Sequence, residues 1–170
     1  MTAHPALQDT SPPGAATADG VALATRILEG EISLDLALAE TAAHFLAIPR
    51  VQLVAASLTA FPPEDETGWT KLGGRAWLRE WVAAGSTLSI VPPQGAGPEA
   101  ALSMPWLSAF ARQDIVAVVD RDLLPDDAGH DRGELSRLGV RGLVASTLTP
   151  GGAMLGSLSV VSSDAGPWPS

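Results

Sequence analysis

His130 stands between Asp126, Asp127 and Asp131 in the segment DRDLLPDDAGHDRG, where an imidazole and several carboxylates crowd together. Hard divalent cations take carboxylate oxygens, so such a set invites a metal reading. Its spacing is not that of an EF-hand loop, and a run of acids between elements is ordinarily a solvated surface, so no metal is expected. His4 and His44 add no ligand spacing to it. Ser103, Ser108, Ser146, Ser157 and Ser159 offer hydroxyls, but none lies in the GxSxG context that exposes a nucleophile on a strand-to-helix elbow. The glycines Gly73-Gly74, Gly95-x-Gly97 and Gly151-Gly152 lack the neighbours of a phosphate-cradling loop and read as turns. With nineteen carboxylates some are adjacent by chance, and no pair marks itself as an acid and base. Catalytic residues are therefore not expected. Trp69, Trp77, Trp81 and Trp106 gather in the middle of the chain. They could stack on a flat ligand, but aromatic stripes more often bury against neighbouring elements or form a dimer face, and core packing is the preferred reading.

Bulk composition removes whole classes of function. The chain has 170 residues, 46% of them hydrophobic, enough for one domain with a substantial core. A formal charge of −9, with ten basic residues against nineteen acidic ones, repels phosphate backbones and anionic lipid surfaces. No nucleic acid and no membrane partner is expected. Cysteine is absent, which excludes disulfides, thiolate metal sites and thiol nucleophiles. No apolar run reaches the roughly 20 residues needed to span a bilayer, and Met1 to Gly20 has no secretory-signal pattern. A cytoplasmic location follows as the expectation.

The elements that must position any site are legible from periodicity and punctuation. Residues 1–20 are rich in Thr, Ser, Pro, Ala and Gly and read as a disordered tail, leaving 21–170 as the single domain. Val21 to Glu29 carries a helical stripe ended by Gly30. Ser33 is an N-cap for a second helix that ends near Ile48, with Asp35 in its first turn. Val51 to Phe61 is apolar on both faces, which predicts a central strand, and Trp69 to Ala76 can return beside it. Over Trp77 to Ala84 strand and helix compete. Thr87 to Val91 is a short β candidate, and Pro105 starts or kinks a helix within Ala100 to Ala111. Ile115 to Val119 has the profile of a buried strand. The acidic segment follows as a loop, Asp131 to Glu134 offers a capping-box-like start to a short helix, and Gly139 supplies the left-handed residue that ends it. Leu143 to Thr149 and Met154 to Val161 form an antiparallel hairpin across Pro150-Gly151-Gly152. The sum is an α+β architecture.

Two segments carry a resemblance to a known family. ARQDIVAVVDRD has a small residue, an apolar strand and a closing Asp. RLGVRGLVASTLTPGGAMLGSLSVVSS has the helix-to-strand junction Leu138-Gly139-Val140-Arg141 and the strand Leu155-Gly156-Ser157-Leu158, in which glycine follows an apolar residue. From about Ser33 to Ser163 the order of elements resembles that of GAF domains, sensory modules of bacterial signalling proteins. The resemblance implies a GAF-like, PAS-related antiparallel sheet of five or six strands, with helices packed on one face and a loop and helix layer on the other. It implies a non-enzymatic module of signal transduction that binds a small molecule, acts as a homodimer or within a larger sensor, and controls an output domain such as a kinase or cyclase outside this chain. It places Trp106, Phe110, Asp120, His130 and Arg132 around the ligand, the aromatics for apolar contact and Asp120 and Arg132 for polar orientation. The long closing helix of many GAF domains is not evident before Ser170. The cyclic-nucleotide-binding subgroup is disfavoured by the absence of asparagine, and bilin attachment or sulfoxide reduction through cysteine conflicts with the composition. No cofactor is expected. The alternative is a dimerisation scaffold whose pocket is filled by its own side chains.

Overall fold

The computed structural model describes residues 26, 29–59, 62–63, 65–73, 76–92, 103–111, 115–148 and 155–169. The expected tail, most of the first expected helix and the Pro150-Gly151-Gly152 turn lie outside the described residues. Helix α1, Leu34–Leu46, leads into strands β1, Leu53–Leu58, β2, Thr70–Gly73, and β3, Ala76–Val82. Helix α2, Pro105–Ala111, is followed by β4, Val116–Val118, then by 3₁₀ turns at Arg121–Leu123 and Asp126–Ala128. Helix α3, Gly129–Arg137, and the strands β5, Gly142–Leu148, and β6, Gly156–Ser162, complete the described fold. The strands form one antiparallel six-stranded sheet in the order β2-β3-β1-β6-β5-β4. This is the expected α+β arrangement.

Local chemistry accounts for the boundaries. Ser33 caps α1, its hydroxyl accepting from the Leu36 N–H at 3.2 Å. The Asp35 carboxylate in the first turn accepts from Trp69 Nε1 at 2.8 Å, tying the helix to the entrance of β2. Pro105 opens α2, where a missing N–H costs nothing. Gly139, at φ +72°, turns the chain from α3 toward β5. The competition over Trp77 to Ala84 resolves as a strand, because β3 pairs with β1 on one side and β2 on the other. The tryptophans at 77 and 81 thus obey a period of two, not of 3.6.

Three expectations are corrected. Thr87 to Val91 joins no strand ladder. The Glu80 carboxylate instead accepts from the Ser89 hydroxyl at 2.7 Å and from the N–H groups of Ile90 and Val91 at 3.0 and 3.4 Å, giving these groups partners without a neighbouring strand. Asp131 does not start α3. The helix begins two residues earlier, at Gly129, with no side-chain cap. Asp131 is fully buried, and its carboxylate accepts from the N–H groups of Trp106 and Leu107 at 3.4 and 2.8 Å, satisfying orphan donors of the first turn of α2. The acidic segment that reads as a loop is mostly 3₁₀ turn and helix.

The sheet has a layer on each face. Alternation along β1 sends Val54, Ala56 and Leu58 toward α1, and Leu53 and Ala55 toward α2, α3 and the 3₁₀ turns. On the α1 face Leu38, Ala42, Trp69 and Trp77 complete the packing. The chain after β6 folds back across this face. Trp168 is buried there, and the Arg50 guanidinium lies 4.4 Å from its ring centroid. Arg50 also donates to the carbonyls of Pro167 and Asp164, both at 2.7 Å, so one side chain holds the returning segment.

Candidate functional site

The antiparallel register of β1, β6 and β5 aligns three cross-strand rows on the face toward α2. The first is Leu53, Val161 and Leu143, the second Ala55, Ser159 and Ala145, the third Ser57, Ser157 and Thr147. Side-chain volume falls from the first row to the others. Where the small residues stand, their side chains do not fill the space between the sheet and the helix above it, and a cavity of about 350 Å³ remains. Its walls include the second and third rows, Leu72 and Leu78 from β2 and β3, and Ile90. Met104, Leu107, Ser108 and Ala111 cover it from α2 and the residue before it. The size falls within the range of small-molecule sites.

Hydrogen bonding across the floor is specific. The hydroxyls of Ser57 and Ser157 face each other at 2.8 Å, and Thr147 Oγ1 donates to the Ala111 carbonyl at 2.9 Å, joining β5 to the end of α2. Thr59 Oγ1 donates to the Leu155 carbonyl at 3.3 Å. No Asp, Glu, Lys, Arg or His is among the described lining residues. Perturbed ionisations lie elsewhere. The hydrogen bond from Arg137 holds the Glu134 carboxyl below its usual range and raises the guanidinium in return. Hydrogen bonds from Thr67 lower Asp65. Burial pushes Arg50 down, opposed by Asp164. Among the described residues, no group of three or more His, Cys, Asp or Glu is arranged to hold a metal ion.

The five residues singled out from the sequence fall into three places. Trp106 and Phe110 are neighbours on α2, their ring centroids 4.5 Å apart, half-buried against the core beside the cavity. Asp120 sits at the end of β4, capping the Arg121–Leu123 turn and accepting from Arg141 at 2.8 Å. Arg132 donates to the carbonyls of Leu124 and Pro125 at 2.7 and 2.9 Å, clasping the 3₁₀ segment. His130 is exposed on α3. None of the five is among the residues lining the cavity. The floor residues Ser57, Thr147, Ser157 and Ser159 stand in no nucleophile or ligand motif of the sequence. The available signal was Ala, Ser or Thr at alternate positions of three apolar strands, a pattern that leaves room on one face.

No protein-family model matches the chain, and no curated protein does. Solved structures do match. One is the phycocyanobilin-bound GAF domain from a cyanobacterial phytochrome, similar at a TM-score of 0.55 and 15% identity, over 91% of this chain and 85% of that one. This is a GAF-like fold. The glycine of the Leu155-Gly156-Ser157-Leu158 motif now has a physical reason in the GAF-like sheet. A Cβ at Gly156 would stand 1.8 Å from the Ser57 carbonyl oxygen, so β1 and β6 approach as they do only because that atom is missing. Among the described residues, no helix is long and apolar enough to cross a membrane.

Proposed function

We propose that this chain is a non-enzymatic sensory module of signal transduction, and that the cavity between the Ser57, Ser157 and Thr147 row and α2 receives a small molecule. The cavity itself carries this reading: 350 Å³ of space stands over the central strands of a GAF-like sheet. Hydroxyls line it with no described acid or base beside them, which supports binding rather than turnover. Trp106 and Phe110 belong to the site through α2, as the outer side of its cover. Asp120 and Arg132 serve by holding the 3₁₀ segment that α2 and α3 pack upon, and His130 faces solvent. The attachment chemistry of a bilin is not carried over, since the chain has no cysteine.

Occupancy would act on α2 through the Thr147 to Ala111 hydrogen bond, and on α3 through Asp131, which caps α2 from α3. The signal would then pass to a cytoplasmic output domain, with homodimerisation through the outer side of α1, where Leu34 and Leu36 are exposed. A thermal-shift screen over amino-acid derivatives, nucleotides, tetrapyrroles and small aromatic compounds tests the reading. A ligand at 100 times its dissociation constant adds about 2.7 kcal/mol of stability. Flat melting curves across such a library would remove the ligand-binding role and leave the scaffold alternative, which sedimentation of the full chain would then test.

A further inference from the structure

We infer that Glu80 is a positioning residue of the cavity: its carboxylate fixes the register of the Thr87–Val91 segment and so makes Ile90 one of the walls. This rests on the reading above only for the use made of the cavity.

Strand pairing places Glu80 in the floor. Ala55 stands opposite Glu80 of β3 on one side and Ser159 of β6 on the other, so the second row runs Glu80, Ala55, Ser159 and Ala145. Leu78, two residues earlier on β3, extends the third row beside Ser57 and lines the cavity. Glu80 is not among the lining residues, because its side chain is bound to the segment instead. One carboxylate oxygen accepts from the Ser89 hydroxyl at 2.7 Å, the other from the N–H groups of Ile90 and Val91 at 3.0 and 3.4 Å. A carboxylate in a row of alanine and serine beside leucines is costly without donors, and these three groups supply them.

The segment depends on Glu80 in return. Thr87 and Ser89 are exposed while Leu88 and Ile90 turn to the core, the alternation of a strand, yet no ladder sets its register. Among the described residues its other hydrogen bonds are local: the Ser86 N–H donates to the Ala83 carbonyl at 3.0 Å, and the Leu88 N–H to the Ser86 hydroxyl at 3.2 Å. Gly85, at φ +81° with nothing within 4 Å of where a Cβ would stand, leads into it uncrowded. Leu88, Ile90 and Val91 pack on the core, but apolar contact has no direction. Only the Glu80 bonds distinguish the present register from one shifted by a residue, which would turn Ile90 outward. The same segment borders two hollows, Ile90 lining the cavity and Ser86, Thr87 and Leu88 lining a second depression with Gln52 and Ser163. Where Glu80 holds it decides which side chain enters which.

The test uses the full 170-residue chain, amide exchange by NMR, and xenon as the probe, since apolar cavities take it up. Glu80→Ala is expected to lower the protection of the Ile90 and Val91 amides by about 10-fold or more, with amides of β1 and β6 changing by less than about 3-fold. Xenon-induced shifts of the Ile90 methyls should disappear while those of Leu72 and Leu107 persist. Glu80→Gln should preserve both readouts, because its amide oxygen can accept from the same N–H groups and its amide nitrogen can donate to Ser89. If Glu80→Ala does not fold, Glu80→Asp, one methylene shorter, makes the same comparison. Unchanged protection at Ile90 and Val91, or an equal loss across the sheet, would overturn the role. So would a xenon shift at Ile90 that survives Glu80→Ala, or a Glu80→Gln chain that behaves like Glu80→Ala. If xenon shifts no lining methyl of the unaltered chain, the cavity reading falls and Ile90 is not its wall, whereas amide exchange still decides whether Glu80 holds the segment.

Discussion

The two faces of the sheet are made by the same strands, yet one is packed along its length and the other leaves a cavity beside its core. On the α1 face β1, β6 and β5 present the row Val54, Val160 and Val144, and beyond it Ala56, Leu58 and Leu158 meet Leu38, Trp69 and Trp77. On the α2 face the same strands begin with Leu53, Val161 and Leu143 but continue with alanine, serine and threonine. Core packing thus lies on both sides of a single layer, and the unfilled space described above lies on one side only. The difference comes from alternate residues of each strand, so selection on one face leaves the other free to change.

Breaking the approach of β1 and β6 should affect both faces and give the largest effect. Gly156→Val sets a side chain against the Ser57 carbonyl and is expected to cost at least about 4 kcal/mol in urea unfolding, if it folds at all. On the filled face, Trp168→Ala should cost about 3 kcal/mol in the same measurement by emptying the space under Arg50. On the hollow face, Asp131→Ala leaves the N–H groups of Trp106 and Leu107 without their acceptor, a loss of about 2 kcal/mol. Hydrogen exchange would sharpen the contrast, because the loss of protection should concentrate in α2 and spare α1. Ser57→Ala, at the floor, removes a hydrogen bond beside existing space and should stay within about 1 kcal/mol. A cost for Ser57→Ala equal to that of Trp168→Ala would show that the two faces are not different in kind.

The smallest effect is electrostatic and lies at the end of α3. Arg137 holds Glu134 below the ordinary carboxylate range in the folded chain. The stabilisation this provides is therefore fully present above the unfolded pKa of Glu134 and is lost as pH falls through the lower folded value. Arg137→Ala should return Glu134 toward its ordinary pKa, read by NMR titration, and should remove that part of the acid loss. Cavity binding should not respond.

Legibility varied with how local the cause was. Ser33, Pro105 and Gly139 act on their own neighbourhoods, and each does in the structure what its type and position predict. The β5 and β6 hairpin was readable from alternation on either side of a turn signal. Thr87 to Val91 misled because its apolar β-branched character says nothing of whether a ladder has a vacancy, and Glu80 gave its N–H groups another partner. Asp131 misled for the same reason at longer range: a carboxylate near a helix start looks like the cap of that helix, and here it caps α2, 24 residues before it, at Leu107. The site residues chosen by type, such as His130 and Asp120, were conspicuous chemically. The residues that shape the cavity are conspicuous only for being small.

By itself, the sequence determined the α+β element order, the acidic character of the chain, and the exclusion of cysteine chemistry, because these depend on composition and on contacts within a few residues. Only the tertiary structure decided that Ser57, Ser157 and Thr147, up to 100 residues apart, share one row, and that space remains above them. Strand register fixes that alignment, and register is a property of the paired sheet, not of any strand alone.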